Sequence, residues 1–184
     1  MGVDLSPHML AQARRKYGLR QPKLGNDEGF AALLCQSIEE PLPADTCPDA
    51  SFDAVVCAGV LEFVRRPAAL FGTCRAKLRE GGVLALGVPL RDEERGDAVG
   101  RGLGVRTYAR DGVVRVAGAA GFELAREEPI HGYTCDNDDG ESVTVRYAAL
   151  WFRAVAVAVA VADDADAVTP DAGADAQEGK QTSR

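Results

Sequence analysis

The stretch PIHGYTCDNDDGES, residues 129–142, holds several side chains whose types are suited to chemistry. It follows Phe122 to Arg126, which we predict to be a parallel strand, so it leaves the sheet at the carboxyl edge, where such sheets bind ligands. His131 and Tyr133 are therefore candidates for substrate contacts. The alternative is that both side chains only cap the sheet. The acids after them lack the spacing of a calcium-binding loop, which favours a solvated turn and predicts no metal site.

The five cysteines do not form a recognisable metal or disulfide pattern. They are scattered, with no CxxC pair and no histidine at ligand spacing. We therefore expect reduced thiols in a cytoplasmic protein. The residues concerned are Cys35, Cys47, Cys57, Cys74 and Cys135.

Strands and helices that alternate along the chain must position these groups. Ser6 and Pro7 supply an N-cap and a first-turn proline for a helix that ends at Gly18. Two more helices are predicted from about Pro67 to Arg79 and from Tyr108 to Ala120, and glycines follow both. The predicted strands are Gly2 to Leu5, Ala31 to Cys35, Ser51 to Ala58, Val83 to Val88, Phe122 to Arg126 and Ser142 to Val155.

The order of these elements predicts the fold class. Ser51 to Ala58 is nearly all apolar, which is typical of a strand covered by helices on both faces of a parallel sheet. The last strand can pair antiparallel with the strand before it. We therefore predict an α/β fold with a Rossmann-like, doubly wound, mostly parallel sheet and a C-terminal antiparallel strand.

Four segments resemble, in the right order, parts of class I S-adenosylmethionine-dependent methyltransferases of type 11 or 12. GVDLSPHMLAQARRKYG, from Gly2, resembles their second strand and the helix after it. SFDAVVCAGVLEFV, from Ser51, is similar to the fourth strand and its turn, and LREGGVLALGVP, from Leu78, to the fifth strand. TYARDGVVRVAGAAGFEL, from Thr107, resembles the late helix and sixth strand. The resemblance spans about residues 2–157 and implies S-adenosylmethionine as the cofactor.

The resemblance also implies contacts with that cofactor. An acid at the tip of the second family strand accepts hydrogen bonds from both ribose hydroxyls, which assigns this role to Asp4, with Leu5 beside it. The alternative is that Asp4 only caps the helix. Ser37 and Ile38 stand where the family holds adenine with an acid and a backbone N–H, and a neutral oxygen makes the weaker contact. Glu39 substitutes if the register shifts by two residues, and a solvated loop is the alternative.

In the family, the turn after the fourth strand is where the methionine part of the cofactor meets the acceptor. Cys57 and Ala58 begin this turn, and Glu62 is a candidate for contacts with the acceptor or a cap of the turn. Many family members have histidine where Phe63 stands, and a phenyl ring cannot move a proton. The resemblance therefore implies catalysis mainly by alignment and desolvation, and no catalytic residue is assigned.

A first strand with a glycine-rich turn has no counterpart before Asp4. In dinucleotide-type folds that turn precedes the ribose carboxylate by about 20 residues. GRGLG, from Gly100, spells GxGxG but follows a charged stretch, which favours a loop. We therefore expect a fold that is truncated at the N-terminus. The explanations are an incomplete sequence, which we favour, a closure of the second family strand onto the fourth, and a strand donated by a partner.

Composition limits the remaining possibilities. The chain has 184 residues, 46% of them apolar, which fits one domain over residues 1–157, and the acidic, Ala/Asp-rich residues 158–184 predict a disordered tail. A net charge of -7 argues against a nucleic-acid partner. No apolar run approaches the roughly 20 residues of a membrane helix. A small-molecule substrate is expected, and the oligomeric state stays open.

Two hypotheses about function follow. The first is an S-adenosylmethionine-dependent methyltransferase that acts on an unidentified small-molecule acceptor. The alternative is a non-catalytic Rossmann-like module that binds a partner or has lost its activity. Binding of S-adenosylmethionine distinguishes the two.

Overall fold

The computed structural model describes residues 1–19, 28–91, 105–136, 140 and 142–156. The predicted tail of residues 158–184 and the GRGLG stretch lie outside the described residues.

The first part of the chain forms a strand, a helix and a second strand. β1 spans Gly2–Asp4, α1 Pro7–Tyr17 and β2 Leu33–Cys35, and β1 and β2 pair in parallel. The predicted cap is confirmed, because the Ser6 hydroxyl accepts a hydrogen bond from the backbone N–H of Met9 at 3.3 Å. The helix ends at Gly18, whose φ of 70° is a backbone conformation that glycine adopts more readily than other residues.

The second part of the chain forms a four-stranded sheet with two helices. Its strands lie in the order β3-β4-β6-β5, with β3 parallel to β4 and the remaining pairs antiparallel. The predicted α/β class with an antiparallel finish is confirmed. The elements are β3 Phe52–Cys57, a 3-10 turn Leu61–Phe63, α2 Pro67–Lys77, β4 Leu78–Leu90, α3 Arg110–Ala119, β5 Phe122–Asp136 and β6 Ser142–Ala154.

Two predicted boundaries were wrong. α2 ends at Lys77 and β4 begins at the next residue, so the expected loop before Val83 is part of a strand. β5 continues past the predicted end at Arg126 to Asp136, paired with β6. Pro129 does not end β5 because β5 is the edge strand of the sheet, where a residue without an N–H is tolerated.

The hydrophobic core lies in the second part of the chain. Phe71 of α2, Phe122 of β5 and Phe152 of β6 pack edge to face at 6.1 to 6.3 Å between ring centres. None of the described residues from 1 to 35 is buried. β1 and β2 form a sheet of their own. The closure of the second family strand, here β1, onto the fourth, here β3, is therefore not found in this structure.

None of the helices in the described ranges is both long and apolar enough to cross a membrane.

Candidate functional site

A cleft of about 1080 Å³ lies between the two sheets. Parallel strands bind ligands at their carboxyl ends, and the cleft is lined by the ends of β1 and β3 and by Gln36, which follows β2. Residues proposed from the sequence for one cofactor, although separate in the chain, therefore lie around one cavity. They are Asp4, Leu5, Ser37, Ile38 and Cys57.

Asp4 lines the cleft at the end of β1 and also shapes the start of α1. Its Oδ1 accepts a hydrogen bond from the backbone N–H of Ser6 at 2.7 Å. Asp4 therefore does help to cap the helix, but this hydrogen bond leaves its carboxylate able to accept others. Each carboxylate oxygen has two lone pairs, so both oxygens of Asp4 can still accept hydrogen bonds from a ligand.

The loop after β2 is held by local hydrogen bonds. The Ser37 hydroxyl accepts a hydrogen bond from the backbone N–H of Glu39 at 3.2 Å. The Glu39 carboxylate accepts one from the backbone N–H of Arg66 and lies 3.8 Å from Nε of that side chain. Because the Glu39 carboxylate already binds Arg66, Ser37 and Ile38 are better candidates than Glu39 for contacts with a ligand on this side of the cleft.

The rim of the cleft is apolar and open. Leu5 is 72% exposed, Met9 50%, Val56 73% and Phe63 65%. Large apolar side chains clustered around a cavity mark a surface that binds an apolar group or another polypeptide segment.

Three thiols and one amine line the deeper part of the cleft. Cys47, Cys57 and Cys74 are buried, and the pKa of Cys74 is raised, first by its hydrogen bond with Cys57 and then by burial. Both effects favour the neutral thiol of Cys74, whereas the same hydrogen bond lowers the pKa of Cys57. Lys77 lies nearby, with Nζ 2.6 Å from Oδ1 of Asp49. Sequence reasoning did not assign Cys47, Cys74 or Lys77 to a site, because only the fold brings them together.

The other residues predicted from the sequence are not among those that line the cleft. Ala58 follows β3 directly and is exposed. His131 and Tyr133 are exposed and lie within β5, so the expected turn at this point was wrong. Glu62 lies in the 3-10 turn that follows β3, with 6% of its surface exposed.

Glu62 takes part in a buried contact that the sequence did not reveal. Its Oε1 accepts a hydrogen bond from the Tyr147 hydroxyl at 2.9 Å, which ties β6 to the turn after β3. Burial, and then this hydrogen bond, raise the pKa of Tyr147. The Tyr133 ring packs on the Tyr147 ring at 6.1 Å. Within the described part of the chain, Oε2 of Glu62 has no hydrogen-bond partner.

Known families and structures that resemble this chain include methyltransferases. Residues 1–86 match the family described as a methyltransferase domain. This range contains β1, β2, β3 and most of β4, so it includes the three strand ends around the cleft. A search of curated proteins found no significant match.

Solved structures share the fold across most of the chain. A candidate methyltransferase from Bacillus halodurans C-125 has 17% identity and a TM-score of 0.61, with 84% of this chain and 82% of that one covered. A SAM-dependent methyltransferase from Methanosarcina mazei has 14% identity and a TM-score of 0.57, with 84% and 81% covered. Magnesium protoporphyrin IX methyltransferase from Synechocystis PCC 6803, solved with bound SAM, has 16% identity and a TM-score of 0.53, with 83% and 58% covered.

Proposed function

We propose that this chain, whose residues 1–86 match a methyltransferase-domain family and whose fold is that of S-adenosylmethionine-dependent methyltransferases, transfers a methyl group to a small-molecule acceptor. The observation that carries the proposal is the convergence of Asp4, Ser37 and Cys57 on one cleft at the carboxyl ends of β1, β2 and β3. These positions are the ones to which the resemblance gives the ribose, adenine and methionine contacts of the cofactor.

The residues around the cleft fit a bound S-adenosylmethionine. Asp4 lies at the rim with oxygens that can accept hydrogen bonds from two ribose hydroxyls. Ser37 and Ile38 would contact the adenine ring, and Leu5 would lie beside the ribose. Cys57 and Ala58 lie at the end of β3, where the turn would hold the methionine part.

In the proposed methyl transfer, the chain would mainly align the acceptor with the cofactor and exclude water. When bound, S-adenosylmethionine supplies an activated methyl group, so the acceptor needs alignment more than a strong base. Phe63 lines the cleft and cannot exchange a proton. Together with Val56 at the open rim, it offers apolar surface that an acceptor would cover on binding. Contacts of Glu62, His131 and Tyr133 with the acceptor remain predictions.

Calorimetric titration with S-adenosylmethionine tests the proposal. We expect binding by the chain and a loss of about tenfold or more in affinity for Asp4→Asn, because a hydrogen bond to a charged group contributes roughly 1.5 to 3 kcal/mol. The asparagine oxygen can still accept from Ser6, so the melting temperature should stay near that of the wild type. Asp45→Asn, at an exposed carboxylate outside the cleft, is the matched control and should bind normally.

The alternative of a non-catalytic module is favoured by one observation, the open seam between β1 and β3. A module without activity predicts no heat of binding at millimolar S-adenosylmethionine, or binding without methyl transfer to any acceptor in a small-molecule panel. Equal affinities of the wild type and Asp4→Asn would remove the proposed role of Asp4.

A further inference from the structure

Two buried thiols from different elements meet beside the cleft. Cys57 is the last residue of β3, and Cys74 lies in the last turn of α2. Their exposed fractions are 5% and 2%, and both side chains line the cleft. A hydrogen bond joins the two thiols. The strand and the helix therefore bring together two sulfur atoms that are distant in the chain.

The hydrogen bond makes these two thiols chemically unequal. It lowers the pKa of Cys57, against the effect of burial, and it raises the pKa of Cys74, which burial raises further. This pattern indicates that the Cys74 S–H donates to the Cys57 sulfur, because a donor stabilises a thiolate acceptor. The thiolate is the nucleophilic form of cysteine. Cys57 is therefore the better nucleophile, and Cys74 is a second thiol held next to it.

The other cysteines whose side chains the structure describes have different surroundings. Cys47 is 1% exposed and lines the cleft, but burial raises its pKa, and the groups that shift it include no cysteine. Cys35 is exposed, and its Sγ donates to the Leu5 carbonyl oxygen at 3.6 Å. Peroxides oxidise most readily a thiol of lowered pKa, and a second thiol beside it makes the oxidation reversible. Of these four cysteines, Cys57 and Cys74 together meet both conditions.

We propose that Cys57 and Cys74 form a peroxide-reactive pair that is oxidised to an intramolecular disulfide. The Cys57 thiolate attacks one oxygen of hydrogen peroxide, the O–O bond breaks, and Cys57 becomes a sulfenic acid while hydroxide leaves and takes up the proton that the thiol had lost. The Cys74 sulfur then attacks the Cys57 sulfur, the S–O bond breaks, and the hydroxide leaves as water with the Cys74 proton. Two thiols and one peroxide thus become one disulfide and two waters, and two electrons pass from sulfur to oxygen.

The surroundings of the pair allow both steps. Hydrogen peroxide is a small polar molecule, and the cleft gives it a path to both sulfur atoms although the side chains are buried. Sulfur atoms in hydrogen-bond contact need only a small movement to reach the bonded distance of about 2 Å. The product is a covalent link between the end of β3 and α2.

Peptide mapping of the peroxide-treated chain tests the proposal. Free thiols are blocked, the chain is denatured, and it is then cleaved after aspartate and glutamate. This cleavage separates three of the cysteines, with Cys57 in residues 54–62, Cys74 in residues 63–80 and Cys47 in residues 46–49. We expect the first two peptides to be linked, with a mass two hydrogen atoms below their sum, and a dithiol reductant to remove the link. Cys47→Ser, at a buried thiol of the same cleft, is the matched control and should form the link as the wild type does.

Two further variants test the order of the steps. Cys74→Ser keeps a hydroxyl that can donate to Cys57 but cannot close the disulfide. Cys57 should therefore stop as a sulfenic acid, which dimedone traps as an adduct. Cys57→Ser should give no such adduct at Cys74, because the Cys74 thiol stays protonated.

A wild-type chain that is folded by circular dichroism and forms no link between residues 54–62 and 63–80 would overturn the proposal. Equal linking of Cys47 to either peptide would also overturn it, as would a dimedone adduct at Cys74 in place of Cys57. The wild-type map needs no variant, so it decides the question even if a serine at a buried position prevents folding. None of these measurements depends on S-adenosylmethionine, so their failure is separate from that of the proposed function.

Discussion

The hydrogen bond between Glu62 and Tyr147 allows a sharp test of the structure. Glu62 is 6% exposed, and its Oε1 accepts from the Tyr147 hydroxyl at 2.9 Å. Within the described residues its Oε2 has no partner, so Tyr147→Phe would leave this buried carboxylate without a hydrogen bond. Loss of a hydrogen bond to a charged group costs roughly 1.5 to 3 kcal/mol. We expect about 2 kcal/mol less stability, or a melting temperature lower by about 4 to 8 °C.

A double-mutant cycle separates this bond from other effects of the substitutions. Glu62→Gln keeps an oxygen that can accept from Tyr147, so it should cost less than Tyr147→Phe. Glu62→Met removes the acceptor and is therefore the variant that completes the cycle with Tyr147→Phe. The double variant should be more stable than the sum of the two losses predicts, with a coupling energy of about 0.5 to 3 kcal/mol. Urea unfolding followed by the fluorescence of Trp151, the only tryptophan, gives the free energies.

Tyr17→Phe is the matched control for the loss of a phenol hydroxyl. Tyr17 is 56% exposed, so its variant should stay within about 0.5 kcal/mol of the wild type. A Tyr147→Phe variant as stable as this control would refute the argument, because the bond would then not be held in solution.

Three further predictions concern the same chain. Burial and the bond to Glu62 raise the pKa of Tyr147 in the folded state. The protonated phenol of Tyr147 therefore stabilises the fold fully below the ordinary tyrosine pKa of about 10, and this stabilisation is lost as pH rises through the folded pKa. The urea midpoint should fall more steeply above about pH 10 in the wild type than in Tyr147→Phe. Lys77 is 9% exposed in its side chain and pairs with Asp49, which is 68% exposed. Asp49→Ala leaves the buried ammonium only its hydrogen bond to the Leu42 carbonyl oxygen, so it should cost at least about 1 kcal/mol more than Lys77→Met in urea unfolding. Phe152 is fully buried between two aromatic rings, and Phe152→Ala should cost about 3 to 5 kcal/mol, measured in the same way, whereas a cost below about 1 kcal/mol would contradict this packing.

Local sequence signals predicted most of the fold. The cap at Ser6 and the helix end at Gly18 depend on residues close in the chain, and both were confirmed. The first strand was predicted over Gly2 to Leu5 and is found one residue shorter, at Gly2–Asp4. The end of β5 was wrong because Pro129 is a strand breaker in most contexts. Its tolerance here depends on the edge position of β5, which only the complete sheet order reveals.

The candidate site was predictable where it depends on strand ends. Asp4, Ser37 and Cys57 each follow or end a strand of a parallel pair, and all three line one cleft although β1 and β3 belong to different sheets. The contact between Glu62 and Tyr147 joins residues 85 positions apart on antiparallel β6 and the turn after β3. No spacing rule links such positions, so their pairing requires the three-dimensional structure.

The uneven distribution of buried side chains has a consequence for ligand affinity. β1, α1 and β2 contribute no buried side chain among the described residues of 1–35, whereas β3 to β6 surround the packed aromatic rings. A molecule held by both Asp4 and the end of β3 would bridge a loosely anchored unit and a firmly packed one. Its measured dissociation constant would equal the intrinsic one divided by the fraction of chains in which that unit is docked. Substitutions that only tighten the docking of α1 would then improve binding without touching the ligand.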